Sequence, residues 1–117
     1  MNIEQLRDHC MSKPGTTEGF PFGEQTLVFK VMDRMYALTG METFLSINLK
    51  CDPELAVELR EKYSGVQAGF HMNKKHWNTV LIGGSVSDAQ LIEWIDHSYD
   101  LVAGGLTKAL KVELALL

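Results

Sequence analysis

Cysteine, long apolar runs and an N-terminal targeting pattern are scarce or missing in this 117-residue chain, and each absence excludes a class of protein. The two cysteines, Cys10 and Cys51, lie far apart without a C-x-x-C motif, so neither a disulfide scaffold nor a zinc knuckle is indicated. No apolar run approaches the roughly 20 residues that span a bilayer. The first residues lack the basic start and apolar core of a signal peptide. We therefore expect a cytoplasmic protein without membrane contact, whose two thiols are reduced and buried.

The overall composition is typical of one soluble globular domain. Apolar residues make up 45% of the chain and charged residues 22%, as in ordinary soluble proteins. A chain of this length can bury a sizeable core without disulfides or metals. No linker, repeat or low-complexity tract divides it, so we expect a single domain over residues 1–117, and we favour a monomer.

Acidic residues are missing from one continuous stretch. None occurs between Glu61 and Asp88, and the same stretch contains three lysines, in a chain whose formal net charge is −4. A positive, amide-rich segment that also bears aromatic residues suits a partner carrying phosphate. The pI near 5.5 argues against a protein that coats nucleic acid non-specifically, because such domains are usually strongly basic.

Local start and stop signals predict four helices. In chain order these signals are Asn2 with Gln5 three residues on, Asp52 followed by Pro53, the capping box Ser87-x-x-Gln90, and a leucine stripe (106, 110, 114, 117) after Gly104-Gly105. In each of them a capping or breaking residue stands next to an apolar residue pattern of helical period.

Between the first two helices the apolar period changes to two. Strands are predicted over residues 26–31, 35–39 and 44–50, and an apolar strand over residues 79–82. In the third of these, Leu45, Ile47 and Leu49 are expected to face the core. Short strands joined by brief turns indicate an antiparallel meander with one buried face. Helices segregated against such a sheet make the fold class α+β.

Five segments of the chain resemble a known family. They are residues 10–15 (Cys-Met-Ser-Lys-Pro-Gly), 20–23 (Phe-Pro-Phe-Gly), 50–53 (Lys-Cys-Asp-Pro), 71–77 (His-Met-Asn-Lys-Lys-His-Trp) and 96–99 (Asp-His-Ser-Tyr). In order and spacing they are similar to the MmcQ/YjbR family of small bacterial proteins, over about residues 3–112. The Asn-Lys-x-His-Trp core, followed by a Thr-Val strand, is the most specific part of the resemblance.

The resemblance implies a compact α+β domain of CyaY-like topology, with helices packed on one face of a small antiparallel sheet. It also implies a grouping with DNA-binding proteins through a double-wing arrangement. The family supplies no agreed catalytic residues that could be carried over. In the first hairpin this chain has Asp33-Arg34 where the family more often has Gly-Lys, so the turn is less basic here.

The residues expected to contact DNA centre on the run that follows Phe70. Lys74 and Lys75 are adjacent, so at least one of them can reach a phosphate whether the chain is extended or helical. Asparagine amides can donate to phosphates or base edges. The candidate DNA-binding residues are Asn73, Lys74, Lys75, His76 and Asn78, with Lys30, Arg34 and Lys50 as secondary candidates.

The expected binding is weak and depends on charge. Too few Arg, Asn and Gln residues cluster for direct base readout, so phosphate neutralisation would dominate, with a salt slope of about −3. The alternative is a solvated loop that Trp77 anchors to the core. Trp77 could also stack on an exposed base, although burial in the core is the more frequent role of tryptophan.

No other constellation predicts catalysis or a bound metal. His71 and His76 are five residues apart rather than four, with no nearby cysteine or acid to complete a ligand set. His9 and Cys10 are neighbours in a helix and therefore do not face each other. The glycines of Gly83-Gly84-Ser85 suit a tight strand-to-helix turn better than a phosphate loop. We therefore expect a non-enzymatic protein with no metal and no cofactor.

A different class of function would use the aromatic residues. A small-molecule or protein-binding pocket could be lined by Phe20, Phe22, Tyr36, Phe70 and Trp77, with histidines and asparagines as its polar points. A convex positive ridge would favour DNA, and a closed concave aromatic pocket would favour a ligand. The sequence leaves both alternatives open, together with the question of whether the lysines at 74 and 75 share a surface with those at 30 and 50.

Overall fold

Six antiparallel strands form one sheet and four helices pack on it within residues 1–70 and 72–117, the part of the chain that the computed structural model describes. The helices are α1 (Ile3–Met11), α2 (Pro53–Lys62), α3 (Asp88–Gly104) and α4 (Lys108–Ala115). The strands are β1 (Thr16–Gly19), β2 (Thr26–Val31), β3 (Arg34–Gly40), β4 (Ser46–Lys50), β5 (Val66–Ala68) and β6 (Trp77–Leu81). They lie in the order β1-β2-β3-β4-β6-β5. The α+β fold class is confirmed.

Three of the four helices begin at the predicted capping residues; α4 begins after Thr107, a cap that was not predicted. The side chains of Asn2 and Ser87 each accept a hydrogen bond from the backbone three residues on, and Gln5 and Gln90 close the two capping boxes. Asp52 accepts from the backbone of the third residue after it, and Pro53 follows at the first helical position. These caps satisfy amide groups that a helix leaves unpaired at its N-terminus. None of the helices in the described residues is long and apolar enough to cross a membrane.

The strand predictions were less accurate than the helix predictions. The edge strand β1 was not predicted, because its sequence Thr-Thr-Glu-Gly has no apolar alternation. The last strand, β6, begins at Trp77 rather than at Thr79. The expectation that Leu45 faces the core was wrong, since its side chain is 67% exposed. The strand β4 starts only at Ser46, after Phe44 has taken a positive φ of 42°.

The main hydrophobic core lies between the helices and one face of the sheet. Side chains from all four helices contribute to it, including Leu6 of α1 and Ile95 of α3, which are fully buried. On the sheet side Phe29 and Ile47 are also fully buried. We call this side of the sheet the helix face and the opposite side the open face.

One serine joins α3 to the sheet at an irregularity of β3. The pairing of β2 with β3 skips Tyr36, which forms a β-bulge, and both Tyr36 and the next residue point into the main core. The regular pairing of β3 with β4 ends just before this point. There the fully buried Ser98 hydroxyl donates to the Tyr36 carbonyl at 2.6 Å and accepts from the Lys50 amide at 2.9 Å. The helix thus supplies the partners that the two strands lack.

Removing this hydroxyl should destabilise the whole domain. Ser98→Ala leaves two backbone groups of the sheet without a partner, and an unsatisfied buried group costs about 1–3 kcal/mol. We expect the free energy of unfolding in urea to fall by about 2 kcal/mol. Ser64→Ala, at an exposed serine beyond α2, is the control and should stay within about 0.5 kcal/mol of the parent protein. Equal stabilities for the two variants would contradict the structural role of Ser98.

Candidate site on the open face of the sheet

The open face is uncharged except for two lysines. Alternation along the strands and their register place the following residues on it: Thr17, Gly19, Thr26, Val28, Lys30, Met35, Leu38, Gly40, Ser46, Asn48, Lys50, Gln67, Trp77, Thr79 and Leu81. All six strands lie within the described residues, and none of these positions is acidic. In a chain of net charge −4, this face is therefore positive.

Both lysines of the open face lie at the same end of the sheet. Lys30 pairs with Met35 across β2 and β3, next to the β2–β3 turn, and Lys50 pairs with Trp77 across β4 and β6. Two strand spacings separate them, which is about 10 Å. The β5–β6 connection leaves from this same end, because it runs directly into Trp77.

The β5–β6 connection carries the other two candidate lysines. The Asn73 side-chain oxygen accepts from the backbone amides of Lys75 at 2.9 Å and His76 at 3.3 Å, which holds the chain in a tight turn. The Lys74 ammonium donates to the carbonyl of Gly69 at 3.3 Å, within the same connection. Lys75 is exposed, and its ammonium makes no ion pair with the residues that the structure describes. Lysines 30, 50, 74 and 75 thus gather at one end of the sheet.

An arginine that sequence reasoning missed holds this turn in place. Arg60 of α2 reaches across from the helix face and donates to the Asn78 side-chain oxygen at 2.7 Å and to the Trp77 carbonyl at 3.2 Å. The same nitrogen that donates to Trp77, Nη2, also contacts the Lys74 carbonyl, while Nε makes the bond to Asn78. A planar guanidinium can satisfy several acceptors at once, which an ammonium cannot. In the sequence Arg60 has only the pattern of a polar helix residue, so no local signal identifies it.

Asn78 and His76 were expected to contact DNA, but neither side chain is fully exposed. Asn78 is only 2% exposed, because β6 begins at Trp77 and its second residue therefore faces the helices. Its amide is committed to Arg60 and to the Ala56 carbonyl, so Asn78 is removed from the candidate surface. His76 is half-buried, and its carbonyl accepts from the Cys51 amide at 2.8 Å.

Arg34 is exposed at the tip of the β2–β3 hairpin rather than on the open face. Its register partner is Val31, a residue of the main core, so its strand position faces the helices. The two turn residues before it, Met32 and Asp33, have φ values of 47° and 68°. Positive φ at both central residues is the geometry of a type I′ hairpin turn.

Trp77 is part of a second, small core on the open face. It is 8% exposed and packs with Val28 and Leu38, which corrects the expectation that only one face of the sheet is buried. Met35 and Met72 cover this cluster. The preferred role of Trp77 as a core residue is confirmed, and its ring is not available for stacking on a base.

A cavity of about 390 Å³ adjoins this small core on the open face. Phe22 from the β1–β2 connection, and Phe70 and Met72 from the β5–β6 connection, stand around it. Its remaining lining residues are Thr26, Leu38, Thr39, Gly40, Ser46 and Asn48. Of the five aromatic residues proposed for a pocket, only Phe22 and Phe70 line it: Phe20 borders a neighbouring depression, and Tyr36 and Trp77 are buried.

Hydrogen bonds fix the Phe70 backbone above the open face. Its amide donates to the Thr79 hydroxyl at 2.8 Å, and its carbonyl accepts from the Asn48 amide at 3.4 Å. The Thr79 hydroxyl in turn donates to the Asn48 side-chain oxygen at 2.5 Å. This chain of contacts ties the β5–β6 connection to the centre of the sheet. The cavity wall on that side is therefore preorganised.

Most of the motif residues singled out from the sequence serve the fold. The contacts are Asp96 with His9 and Lys13, His97 with the Asp52 amide, Ser98 with two strands, and the Tyr99 hydroxyl with the Pro14 carbonyl. Burial would raise the pKa of Asp96, but its hydrogen bonds and the positive charge beside it outweigh that effect and lower the pKa. In contrast, Phe20 and Phe22 of the Phe-Pro-Phe-Gly segment remain 46% and 64% exposed. This segment is the motif that the fold does not use.

The described part of the chain holds no group of metal ligands, and its two thiols are not activated. No three His, Cys, Asp or Glu side chains within residues 1–70 and 72–117 come together as a metal-ligand group. His71 lies outside the described residues. Burial raises the pKa of Cys10 to about 12 and that of Cys51 to about 11. Both thiols are therefore protonated at neutral pH, and a protonated thiol is a poor nucleophile.

The native protein should resist thiol modification. Because the two cysteines are buried with raised pKa values, we expect negligible reaction with a disulfide reagent at pH 8 over minutes. Both thiols should react at once in concentrated guanidinium chloride, which serves as the control for total thiol content. Rapid release of one equivalent from the native protein would contradict the burial of that cysteine.

Arg60 should be needed for the order of the lysine-bearing turn. Arg60→Lys retains the charge but cannot satisfy the three acceptors of the guanidinium. We expect a loss of about 1–3 kcal/mol in the free energy of unfolding. We also expect faster hydrogen exchange at the backbone amides of residues 75–77. Lys62→Ala, two residues along the same helix and exposed, is the control, and identical exchange in both variants would contradict this role.

The sequence matches one protein family. The family model YjbR matches residues 11–101. The Escherichia coli K12 protein named YjbR, which is described as uncharacterized, is 37% identical over 100 residues, 85% of each chain. The uncharacterized Bacillus subtilis protein YyaQ is 24% identical over 113 residues, covering 84% of this chain and 95% of its own.

Two solved structures have the same architecture. The Deinococcus radiodurans protein DR2400 is 43% identical and superposes with a TM-score of 0.90, over 97% of this chain and 88% of its own. A crystal structure of a Pseudomonas syringae protein is 32% identical with a TM-score of 0.73, over 87% of this chain and 99% of its own. Sequence and architecture therefore agree over almost the full length of the chain.

Proposed function

The chain belongs to the YjbR family, and from that premise we propose that it is a non-enzymatic protein that binds DNA through the basic end of its open sheet face. The observation that carries the proposal is that Lys30 and Lys50 lie on the open face, whose strand positions hold no acid, at the end of the sheet from which the connection with Lys74 and Lys75 leaves. A local positive field of this kind attracts phosphates even when the whole protein is negative.

Two hairpins frame this end of the sheet. The β2–β3 hairpin and the β5–β6 connection leave the same end of the sheet, with β4 and its terminal Lys50 between them. In the proposed complex these two connections would act as wings on either side of Lys50. This arrangement suits a DNA backbone that lies across the end of the sheet, because lysines neutralise phosphates as point charges without demanding a fixed geometry.

We expect the protein to bind DNA mainly by neutralising phosphates, with few hydrogen bonds to base edges. Asn78 is buried, and the side-chain oxygen of Asn73 is occupied by its own turn. These are the two asparagines expected to reach base edges, so few groups remain for direct readout in the major groove. With three to four lysines in contact, the salt slope would be about −3 and the affinity modest.

A cavity on the same face supports a second candidate function, the binding of a small molecule. Its volume of about 390 Å³ lies within the range of ordinary ligand pockets, and its aromatic walls are typical of them. A small ligand seated there would compete with DNA for the open face. Competition between a bound ligand and labelled DNA would therefore test the two candidates together.

The first test is a charge-matched pair of variants in a DNA-binding titration. Lys50→Glu/Lys75→Glu reverses two cations of the proposed surface, whereas Lys62→Glu/Lys108→Glu reverses two exposed lysines elsewhere with the same net charge. We expect fluorescence anisotropy with a duplex of about 20 base pairs at low salt to show at least a tenfold loss for the first pair. The second pair should stay within about threefold of the parent protein. Equal losses, or no salt-sensitive binding by the parent protein, would overturn the proposal.

The β2–β3 turn offers a substitution that should raise stability and affinity together. Asp33 adopts a positive φ of 68°, which glycine adopts without steric cost, and its carboxylate repels phosphates near the tip of the hairpin. Asp33→Gly is expected to raise the free energy of unfolding by up to about 1 kcal/mol and to tighten duplex binding a few-fold. Asp33→Asn, which removes the charge and retains a side chain tolerated in this conformation, should reproduce the gain in binding without the full gain in stability. Unchanged binding in both variants would exclude this hairpin from the contact surface.

A further inference from the structure

We propose that the cavity on the open face binds an uncharged, flat apolar molecule, which lies against the bare backbone of Gly40. This inference rests on the second candidate function, the binding of a small molecule, and names the chemical class of that ligand. The cavity of about 390 Å³ is lined by Thr26 at the start of β2 and by Ser46 at the start of β4. It therefore lies towards the end of the sheet opposite Lys30 and Lys50.

The floor of the cavity crosses three strands and carries small side chains. Thr26 of β2 pairs with Gly40 of β3. The register of β3 with β4, continued by one residue, brings Ser46 to the other side of the glycine. The two outer strands are about 10 Å apart. A flat molecule that lies across them contacts the sheet over one whole face, and such contacts add up although each is weak.

The backbone does not require a glycine at position 40. The φ of Gly40 lies outside the left-handed region. Among the described residues, a Cβ at this position would meet only the Thr43 hydroxyl at 3.9 Å and the Gln25 carbonyl at 4.0 Å, which are ordinary van der Waals distances. A glycine weakens a strand, and it often marks a place where a ligand approaches the backbone closely. The bare backbone of Gly40 is therefore where we expect the ligand to lie.

Apolar side chains border this floor. Phe22, from the β1–β2 connection, lines the cavity and is 64% exposed. Leu38 and Met72 line it as well, and both belong to the small core of the open face. Aromatic rings and thioethers make favourable contacts with aromatic molecules. A ligand with apolar rings would remove part of this surface from water, which stabilises the complex.

The cavity is unsuited to an anion. None of the described residues that line it is charged. Each lysine of the open face lies four residues along its strand from a lining residue, about 13 Å away: Lys30 from Thr26, and Lys50 from Ser46. The β1–β2 and β3–β4 connections, at the near end, carry one acid each and no base. A carboxylate or phosphate in the cavity would lose water without gaining a cation, and burial of an unpaired charge is costly.

Two hydroxyls offer hydrogen bonds to a neutral ligand. The side-chain hydroxyls of Thr26 and Ser46 line the cavity, and neither bonds to any residue within 1–70 and 72–117. A hydroxyl can donate or accept a hydrogen bond. One hydroxyl, carbonyl or amide at the edge of the ligand would therefore find a partner and fix its orientation.

The experiment titrates three naphthalene probes that differ only in their substituent. They are the neutral 2-naphthalenemethanol, the anionic 2-naphthoate and the cationic 2-naphthylmethylammonium. Binding is followed by the chemical shifts of backbone amides in ¹⁵N–¹H spectra. We expect the alcohol to shift the amides of residues 38–40 and 46–48 and to bind about tenfold or more tightly than either charged probe.

A substitution at Gly40 separates loss of the site from loss of the fold. Gly40→Ile fills the floor of the cavity without backbone strain and should weaken binding of the alcohol about tenfold or more. It should melt no lower than the parent protein, because isoleucine favours a strand and glycine does not. The control is Gly19→Ile on β1, outside the cavity, where a Cβ meets no atom of the described residues within 4 Å. This control should bind the alcohol within about twofold of the parent protein.

The outcomes distinguish the ligand class from the site and from the function. If a charged probe binds as tightly as the alcohol and Gly40→Ile weakens both, the small-molecule site stands and the uncharged class is overturned. If Gly40→Ile binds the alcohol as well as the parent protein does, the placement over Gly40 is overturned. If no probe shifts any amide of the parent protein, the small-molecule candidate itself fails. The proposed DNA surface is tested separately by the duplex titration.

Discussion

The hydroxyl of Ser98 is the contact on which both the sheet and the candidate site depend. It bridges the carbonyl of Tyr36, the bulged residue in the pairing of β2 with β3, and the amide of Lys50, just past the last pair of β3 with β4. A buried helix that completes the hydrogen bonds of two strands fixes their relative position more firmly than apolar packing alone. The same bond holds the end of β4, and therefore the strand position from which Lys50 projects onto the open face.

The two faces of the sheet have different roles. Polar motif residues on the helix face are used by the fold: Asp96 ties α3 to α1, and Arg60 ties α2 to the β5–β6 turn. On the open face Lys30 and Lys50 form no ion pair with any residue within 1–70 and 72–117, so their charges remain available to a partner. Phe20 and Phe22 are 46% and 64% exposed beside this face, and exposed apolar side chains that lie together are typical of binding surfaces.

The sequence predicted part of the candidate site, but it did not predict the orientation of Asn78 or the contacts of Arg60. The basic turn around Lys74 and Lys75 was evident from charge, and Trp77 was assigned to the core from its residue type. Asn78 was placed on the wrong side, because an error of two residues in the start of β6 left its orientation undetermined, and neighbouring residues of a strand face opposite sides. Arg60 could not be found, because its acceptors lie 14 to 18 residues away and become neighbours only after folding.

The local features follow from the residues alone: the three helix caps at Asn2, Asp52 and Ser87, the meander of β2 to β4 and the α+β class. Each depends on residues within one turn or one strand pair, where period and capping chemistry suffice. The insertion of β6 between β4 and β5 is visible only in the folded protein, and it brings the connection with Lys74 and Lys75 to the end of β4 that holds Lys50. The physical reason is that strand order and register are set by which distant apolar faces pack together, and local periodicity does not encode that choice.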